Sequence, residues 1–175
     1  MRFPILFAAF VIAPAIQPGF ASQHVAIVSV IVAALFVDLD QFKSIKDTYG
    51  HRVGDELLVA VARRVAALIR PGDTLARLSG DEFVAICDDL DSPDQAAAIG
   101  ARLEAGLAPP FRLSEVEIAM TASIGIAYVK HSEHARYLPK QLVHEADMAM
   151  YQAKREGGHR RIFQTHHLAL TGLEQ

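Results

Sequence analysis

The sequence predicts an α/β protein, more narrowly an α+β sandwich of one domain with helices packed on a mixed sheet. Three observations predict it. Segments carrying a helical stripe of apolar residues alternate with short β-branched segments, the pattern of strands and helices that share one core. Two strand-like segments flank the tight turn Ser79-Gly80-Asp81-Glu82, which makes them a hairpin rather than a crossover pair. The chain has 175 residues, 51% of them hydrophobic and 21% charged, enough to bury one sizeable core and too apolar for a disordered chain.

The first strand falls in residues 25–37, where Val25, Ile27, Val28, Val30, Ile31 and Val32 form a β-branched run suited to burial on both faces. Asp38-Leu39-Asp40 then opens a loop, and a short helix over 41–49 is closed by Gly50. Gly54 and Asp55 begin a longer helix. Its Leu57, Leu58, Val61, Val65, Leu68 and Ile69 fall on one side, and Pro71-Gly72 stops it. Strands over 74–78 and 83–87 make the hairpin. Ser92-Pro93 suits the N-cap and first position of a helix over 94–107, which Pro109-Pro110 ends. Residues 115–129 read as one strand in which Thr121, Ser123 and Gly125 interrupt an apolar alternation. A last helix spans 138–155 before Gly157-Gly158, and 160–163 adds an edge strand.

Composition excludes several functions. A net charge of −3 offers no basic surface for a polynucleotide, although a small phosphate ligand needs only one or two local cations. A single cysteine, Cys87, excludes a disulfide framework and a cysteine-based zinc site. Between residues 3 and 37 there is no Asp, Glu, Lys or Arg, and Gln17-Pro18-Gly19 splits the run into apolar blocks at 3–16 and 25–37. Each is shorter than the ~20 residues of a membrane-spanning helix. The first block has the character of a signal or anchor, and more readily that of a poorly packed leader or a badly chosen start of the reading frame. The expected organisation is an apolar leader over 1–24, a domain over 25–165 and a tail over 166–175. Membrane contact follows only if the leader is an anchor.

Several features receive ordinary readings. His131, His134 and His144 are too loosely spaced for a metal site and read as surface residues, and His166-His167 falls in a polar tail. Asp88-Asp89-Leu90-Asp91 reads as a solvated loop. Met148 and Met150, near Tyr151, read as helix packing, and Cys87 as a small core residue.

Two acidic clusters stand where chemistry is expected. Asp38 and Asp40 follow a buried strand, and Asp81 and Glu82 sit at the hairpin tip. If the hairpin pairs beside the first strand, the carboxylates converge, and such a cluster repels itself unless protons or cations neutralise it. Oxygen-only ligands suit Mg²⁺, which accepts phosphate oxygens to complete its shell. Lys43, five residues after Asp38, adds a cation for that phosphate.

Taken jointly, the segments Phe36-Val37-Asp38-Leu39-Asp40-Gln41-Phe42-Lys43, Asp47-Thr48-Tyr49-Gly50-His51 and Gly54-Asp55-Glu56-Leu57-Leu58 resemble the GGDEF family of diguanylate cyclases. So do Ala76-Arg77-Leu78-Ser79-Gly80-Asp81-Glu82-Phe83, Thr121-Ala122-Ser123-Ile124-Gly125-Ile126-Ala127 and Ala146-Asp147-Met148-Ala149-Met150-Tyr151-Gln152-Ala153-Lys154, in family order and spacing. The resemblance implies a fold like the palm of nucleotidyl cyclases, a central mixed antiparallel sheet flanked by helices. It implies condensation of two GTP into cyclic di-GMP with release of two pyrophosphates, in the cytoplasm, by a homodimer holding one GTP per subunit. By motif position, Asp38 and Glu82 would ligate Mg²⁺ (or Mn²⁺), and Asp81 would be a further ligand or help activate the 3′-hydroxyl. Ser79-Gly80 would lie close to the nucleotide, Lys43 and Lys154 would contact phosphates, and Asp55 would read the guanine edge. Arg70-Pro71-Gly72-Asp73 matches the family's Arg-x-x-Asp product-inhibition site, with five residues between it and the signature turn.

The sequence also departs from the family. Ser79 replaces the first glycine of the signature. Lys46 stands where the family usually pairs Asn with guanine; its donors can meet guanine O6 or N7, but it has no acceptor. Gly157-Gly158-His159 replaces Gly-Arg-Asn and removes a phosphate-binding Arg, for which Arg155 and Arg160 are the neighbouring substitutes. Residues 1–24 carry nothing like the family's Asp-x-Leu-Thr-Gly-Leu-x-Asn-Arg, as in a fragment, a shifted start or a member remodelled away from catalysis. Three functions are therefore weighed: a diguanylate cyclase, a non-catalytic sensor of cyclic di-GMP through Arg70 and Asp73 or of GTP, and a dimerisation piece of a longer protein.

Overall fold

The computed structural model describes residues 30–131, 139–155 and 160–164. In chain order the elements are β1 (Val30–Leu39), α1 (Phe42–Leu68), β2 (Thr74–Ser79), β3 (Glu82–Leu90), α2 (Pro93–Leu107), β4 (Phe111–Arg112), β5 (Glu117–Ile118), β6 (Ala122–His131), α3 (Pro139–Arg155) and β7 (Arg160–Gln164). Five strands form one sheet in the order β2-β3-β1-β6-β7. All neighbours are antiparallel except β6 and β7, which run parallel, so the sheet is mixed as expected.

The two faces of the sheet follow from the strand period of two. Ile31, Ala33, Leu35, Val37 and Leu39 point to one side and pack with Leu57, Leu58, Val61 and Val65 of α1 and Ile99, Leu103 and Leu107 of α2. Ala34 and Phe36 point to the other, where Leu142, Ala146 and Met150 of α3 cover them. Leu35, Leu57 and Leu103 are fully buried, each contributing roughly 1.5–3 kcal/mol relative to an exposed side chain. Gly125 permits the close seat of α3 on β6. A Cβ there would lie 2.0 Å from the Ala146 carbonyl oxygen and 2.2 Å from the Met150 nitrogen.

Several expectations are corrected. β1 continues through Asp38 to Leu39, so Asp38 belongs to the strand and not to the loop after it. The two helices over 41–68 are one element broken only at Gly50 (φ 83°, ψ 164°), and the second stretch resumes before Gly54. The single strand over 115–129 is instead β5 and β6 with Ala119-Met120-Thr121 between them, and β5 pairs with β4. The ladder with β1 is paired from Ala122, and the Thr121 carbonyl, accepting from the Asp40 N–H at 2.9 Å, carries the same register one residue further. Asp88 and Asp89 are exposed as foreseen but lie in β3, not in a loop. Asp89 takes a left-handed φ of 51° at a bulge, where β3 inserts an extra residue opposite Ile31–Ala33, and this returns Leu90 to the core. Met150 packs into the core, but Met148 and Tyr151 are exposed. Cys87 is buried, and His144 is exposed.

The apolar run over 3–16, His134, Gly157-Gly158-His159 and the tail with His166-His167 lie outside the described residues. Among the described residues, no helix is long and apolar enough to cross a membrane.

Candidate functional site

The site grows from the register of three strands. Asp38 of β1 is paired with Glu82 of β3 on one side and with Ser123 of β6 on the other. Residues opposite one another in an antiparallel ladder share a face, and Asp38 has the parity of Ala34 and Phe36, so these groups lie on the α3 side. The hairpin brings its turn to the same place: the Leu39 N–H donates to the Asp81 carbonyl at 3.3 Å. Within the turn, Gly80 takes the left-handed φ of 46°, a conformation that favours glycine. Ser79 does not share it, so serine is tolerated at the first signature position without backbone strain. Arg77 steadies the turn, its Nε donating to the Gly80 carbonyl at 2.9 Å.

Lys154, near the end of α3, reaches this strand end. Its Nζ donates to Asp38 Oδ1 at 2.5 Å, with the Asp38 side chain largely buried and that of Lys154 about half exposed. Burial raises the Asp38 pKa; Lys154 opposes the rise, and the charges of Asp81 and Asp40 add to it. Glu82 is raised first by burial and then by the charges of Asp38, Asp147 and Asp81. Burial works against the Lys154 ammonium, yet its hydrogen bond to Asp38 and the charges of Asp38, Asp40 and Asp81 outweigh it, and its pKa rises. Carboxylates that hinder one another's ionisation and offer oxygen alone fit a hard divalent cation in donor chemistry. Among the described residues, no three of His, Cys, Asp or Glu are gathered tightly enough to enclose one in this conformation.

The other residues singled out are spread along the surface. Lys43 is exposed in the first turn of α1. Lys46 is half-buried; its ammonium lies 4.9 Å from the centre of the Phe42 ring, a cation–π distance, and its stem crosses Gly54. Asp55 is exposed and lines a cleft of about 720 Å³ with Arg52, Glu56, Arg63, Arg112 and Ser114. Arg70 and Asp73 close a turn. The Arg70 N–H donates to Asp73 Oδ2 at 2.7 Å, the Asp73 N–H donates to the Arg70 carbonyl at 2.9 Å, and Arg70 is exposed.

Four polar groups at this strand end carry no individual role in the sequence reading, where Asp40 counts only as one of the converging acids. Asp40 accepts hydrogen bonds from Thr121 Oγ1 (2.6 Å) and Ser123 Oγ (2.8 Å). The signal for both hydroxyls was present, since Thr121 and Ser123 interrupt an apolar alternation. Asp147 adds a charge toward Glu82 from α3. Its place in the Ala146–Lys154 segment that resembles the family is the signal that points to it.

The fold defines the class. The crystal structure of the GGDEF domain of YfiN (TpbB) from Pseudomonas aeruginosa superposes with a TM-score of 0.70 at 41% identity, covering 78% of this chain and 84% of that one. The family model for the diguanylate cyclase GGDEF domain matches residues 20–160. This chain belongs to that family. The diguanylate cyclase TpbB of Pseudomonas aeruginosa is 44% identical over 133 residues, 75% of this chain and 30% of the relative. The bifunctional diguanylate cyclase/cyclic di-GMP phosphodiesterase MucR of the same species is 43% identical over 125 residues, 71% of this chain and 18% of the relative. The chain thus spans less than a third of the length of these curated relatives.

Proposed function

We propose that the domain is a cytoplasmic diguanylate cyclase that condenses two GTP into cyclic di-GMP as a homodimer, each subunit presenting one nucleotide. The observation that carries this reading is the pairing of Asp38 with Glu82 at the strand end beside the Asp81 turn, with the Lys154 ammonium on the same face. A carboxylate cluster kept without a cation to serve would burden the fold through self-repulsion.

Asp38 and Glu82 are the residues to hold Mg²⁺ or Mn²⁺, with Asp81 as a further ligand or as a base near the ribose 3′-hydroxyl. The bound cation supplies charge stabilisation to the attacking and leaving oxygens of the phosphoryl transfer. The 3′-oxygen of one GTP forms a bond to the α-phosphorus of the other as the bond to pyrophosphate breaks. The reciprocal event closes the ring and releases the second pyrophosphate. Lys43 and Lys154 hold the phosphates, the Ser79-Gly80 backbone lies along the nucleotide, and Asp55 takes the donor edge of guanine. Lys46 donates to O6 or N7 in place of an amide, which reads guanine less strictly.

The test is product mass after incubation of the purified domain with GTP and Mg²⁺. Cyclic di-GMP from wild type and none from Asp81→Ala supports the reading; none from either overturns it. A second reading, a domain that binds cyclic di-GMP without making it, is favoured by the closed Arg70–Asp73 turn with its exposed guanidinium. Running Arg70→Ala in parallel separates the two. A higher yield indicates feedback inhibition, whereas binding without turnover that is lost on Arg70→Ala indicates a sensor.

A further inference from the structure

Asp38 and Asp40 are two residues apart, yet their surroundings differ. Ser123 sits directly across the ladder from Asp38 and is fully buried, but its hydroxyl donates to Asp40 Oδ1 at 2.8 Å. Thr121 Oγ1 donates to the other oxygen, Oδ2, at 2.6 Å. The backbone repeats the link: the Asp40 N–H donates to the Thr121 carbonyl at 2.9 Å. Asp40 is therefore held by two neutral hydroxyls and, through its own N–H, by the Thr121 carbonyl, while Asp38 is left to the ammonium of Lys154. The next residue, Gln41, takes a left-handed φ of 58° immediately before α1 begins. A non-glycine residue in that conformation is sterically disfavoured and persists where its neighbours over-determine it.

We infer that Asp40 is a positioning residue, which clamps the chain between Asp38 and Lys43 to the start of β6 and so fixes both side chains for the cation and the phosphates. This rests on the cyclase reading above and adds a residue pair, Thr121 and Ser123, to its machinery. The clamp acts on geometry. With both carboxylate oxygens engaged by hydroxyls, Asp40 does not compete with Asp38 for a cation, and the turn that launches α1 is held at a fixed angle. A misplacement of about 1 Å at such a distance from the reacting atoms lowers rates by as much as about a hundredfold.

Thr121→Val, Ser123→Ala, the double variant and Asp40→Asn test the clamp, with Thr121→Ser and Ser123→Thr as hydroxyl-keeping partners. Thr121 is exposed, so its valine variant does not threaten the core. Three readouts are taken at a temperature where thermal melts show each variant folded: amide exchange at residues 39–43, Mn²⁺ affinity by electron paramagnetic resonance, and KM against kcat for GTP. The clamp predicts faster exchange confined to that turn, Mn²⁺ binding weakened roughly tenfold, and a raised GTP KM in the hydroxyl-less variants. Thr121→Ser stays near wild type, and Ser123→Thr, which adds a methyl at a fully buried position, keeps wild-type exchange at residues 39–43. Variants that keep wild-type exchange and affinity overturn the clamp, as does a loss that appears only in proportion to a lowered melting temperature. A wild-type domain that binds neither Mn²⁺ nor GTP overturns the cyclase reading and, with it, the positioning role.

Discussion

Lys154 of α3 and Asp38 of β1 face each other across the sheet surface with Nζ 2.5 Å from Oδ1. A largely buried carboxylate is thereby neutralised by a lysine whose own side chain remains about half exposed and so can leave. The pair places a mobile positive charge where the cyclase reading needs a divalent cation, and phosphates beside it would give the ammonium a new partner.

Lys154→Met is expected to strip Asp38 of its counter-ion and to raise affinity for Mn²⁺ alone by roughly tenfold, the ion-pair energy being reduced by the exposure of the lysine. The same variant raises the KM for GTP. A nucleotide-free Mn²⁺ titration checks the first point, and an unchanged affinity counts against the exchange.

Gly125→Ala is expected to destabilise the domain by about 3 kcal/mol or more, at or beyond the upper end for an overpacked core. The new methyl meets backbone atoms of Ala146 and Met150, which cannot rotate away, so α3 has to move as a body. Urea denaturation reads this as a lowered midpoint with little change in slope. Because α3 carries Lys154, GTP binding weakens in the same variant.

Glu56 joins α1 to the segment between β4 and β5. Ser114 Oγ donates to its Oε2 at 2.7 Å, the Ser114 N–H donates at 3.2 Å, and Arg52 donates to Oε1 at 2.7 Å. The Ser114 bonds are the main reason its carboxyl is held below its ordinary 4.5, with Arg52 assisting. A depressed folded pKa means that this contribution is complete above 4.5 and disappears as pH falls below it through the folded value. Ser114→Ala should therefore lower the neutral plateau of a melting-temperature profile slightly and leave its acid end unchanged, so that the acid limb becomes shallower. An identical acid limb contradicts the linkage.

Cys87 is enclosed in the core, and burial, then the charge of Asp73 and a hydrogen bond to it, pushes its thiol up to about 12. The thiolate is the reactive form, so the folded protein should resist iodoacetamide at pH 8 and react fully once unfolded in urea. Prompt labelling of the folded state would show that β3 opens.

Much of this was legible from residue pattern. The β-branched run marked β1, the turn at Ser79-Gly80-Asp81-Glu82 marked the hairpin, and its placement beside β1 followed once Asp38 and Glu82 were taken to converge. The three interruptions of the later strand proved to be three separate physical demands. Thr121 and Ser123 serve Asp40 from across the ladder, and Gly125 yields its side-chain space to α3. Those demands come from other elements, so periodicity within the segment registers them only as breaks. The ribbon of β4 and β5 escaped for a related reason. Strands of two residues carry no alternation, and the turn joining them is closed by backbone, with the Leu113 N–H donating to the Val116 carbonyl at 2.9 Å. The extension of β1 through Asp38 was hidden because a carboxylate in a strand is disfavoured by composition and is sustained here by Lys154, more than a hundred residues away.

The central claim is that the strand ends at Asp38 and Glu82 receive the metal–nucleotide complex. The most direct measurement is paramagnetic broadening of backbone amide resonances by Mn²⁺ in the presence of a non-hydrolysable GTP analogue. The account predicts broadening centred on Asp38, Glu82 and Lys154, displaced by excess Mg²⁺ and abolished in Asp38→Asn. Broadening centred on the Asp55 and Arg63 cleft, or spread evenly over surface acids, would contradict it.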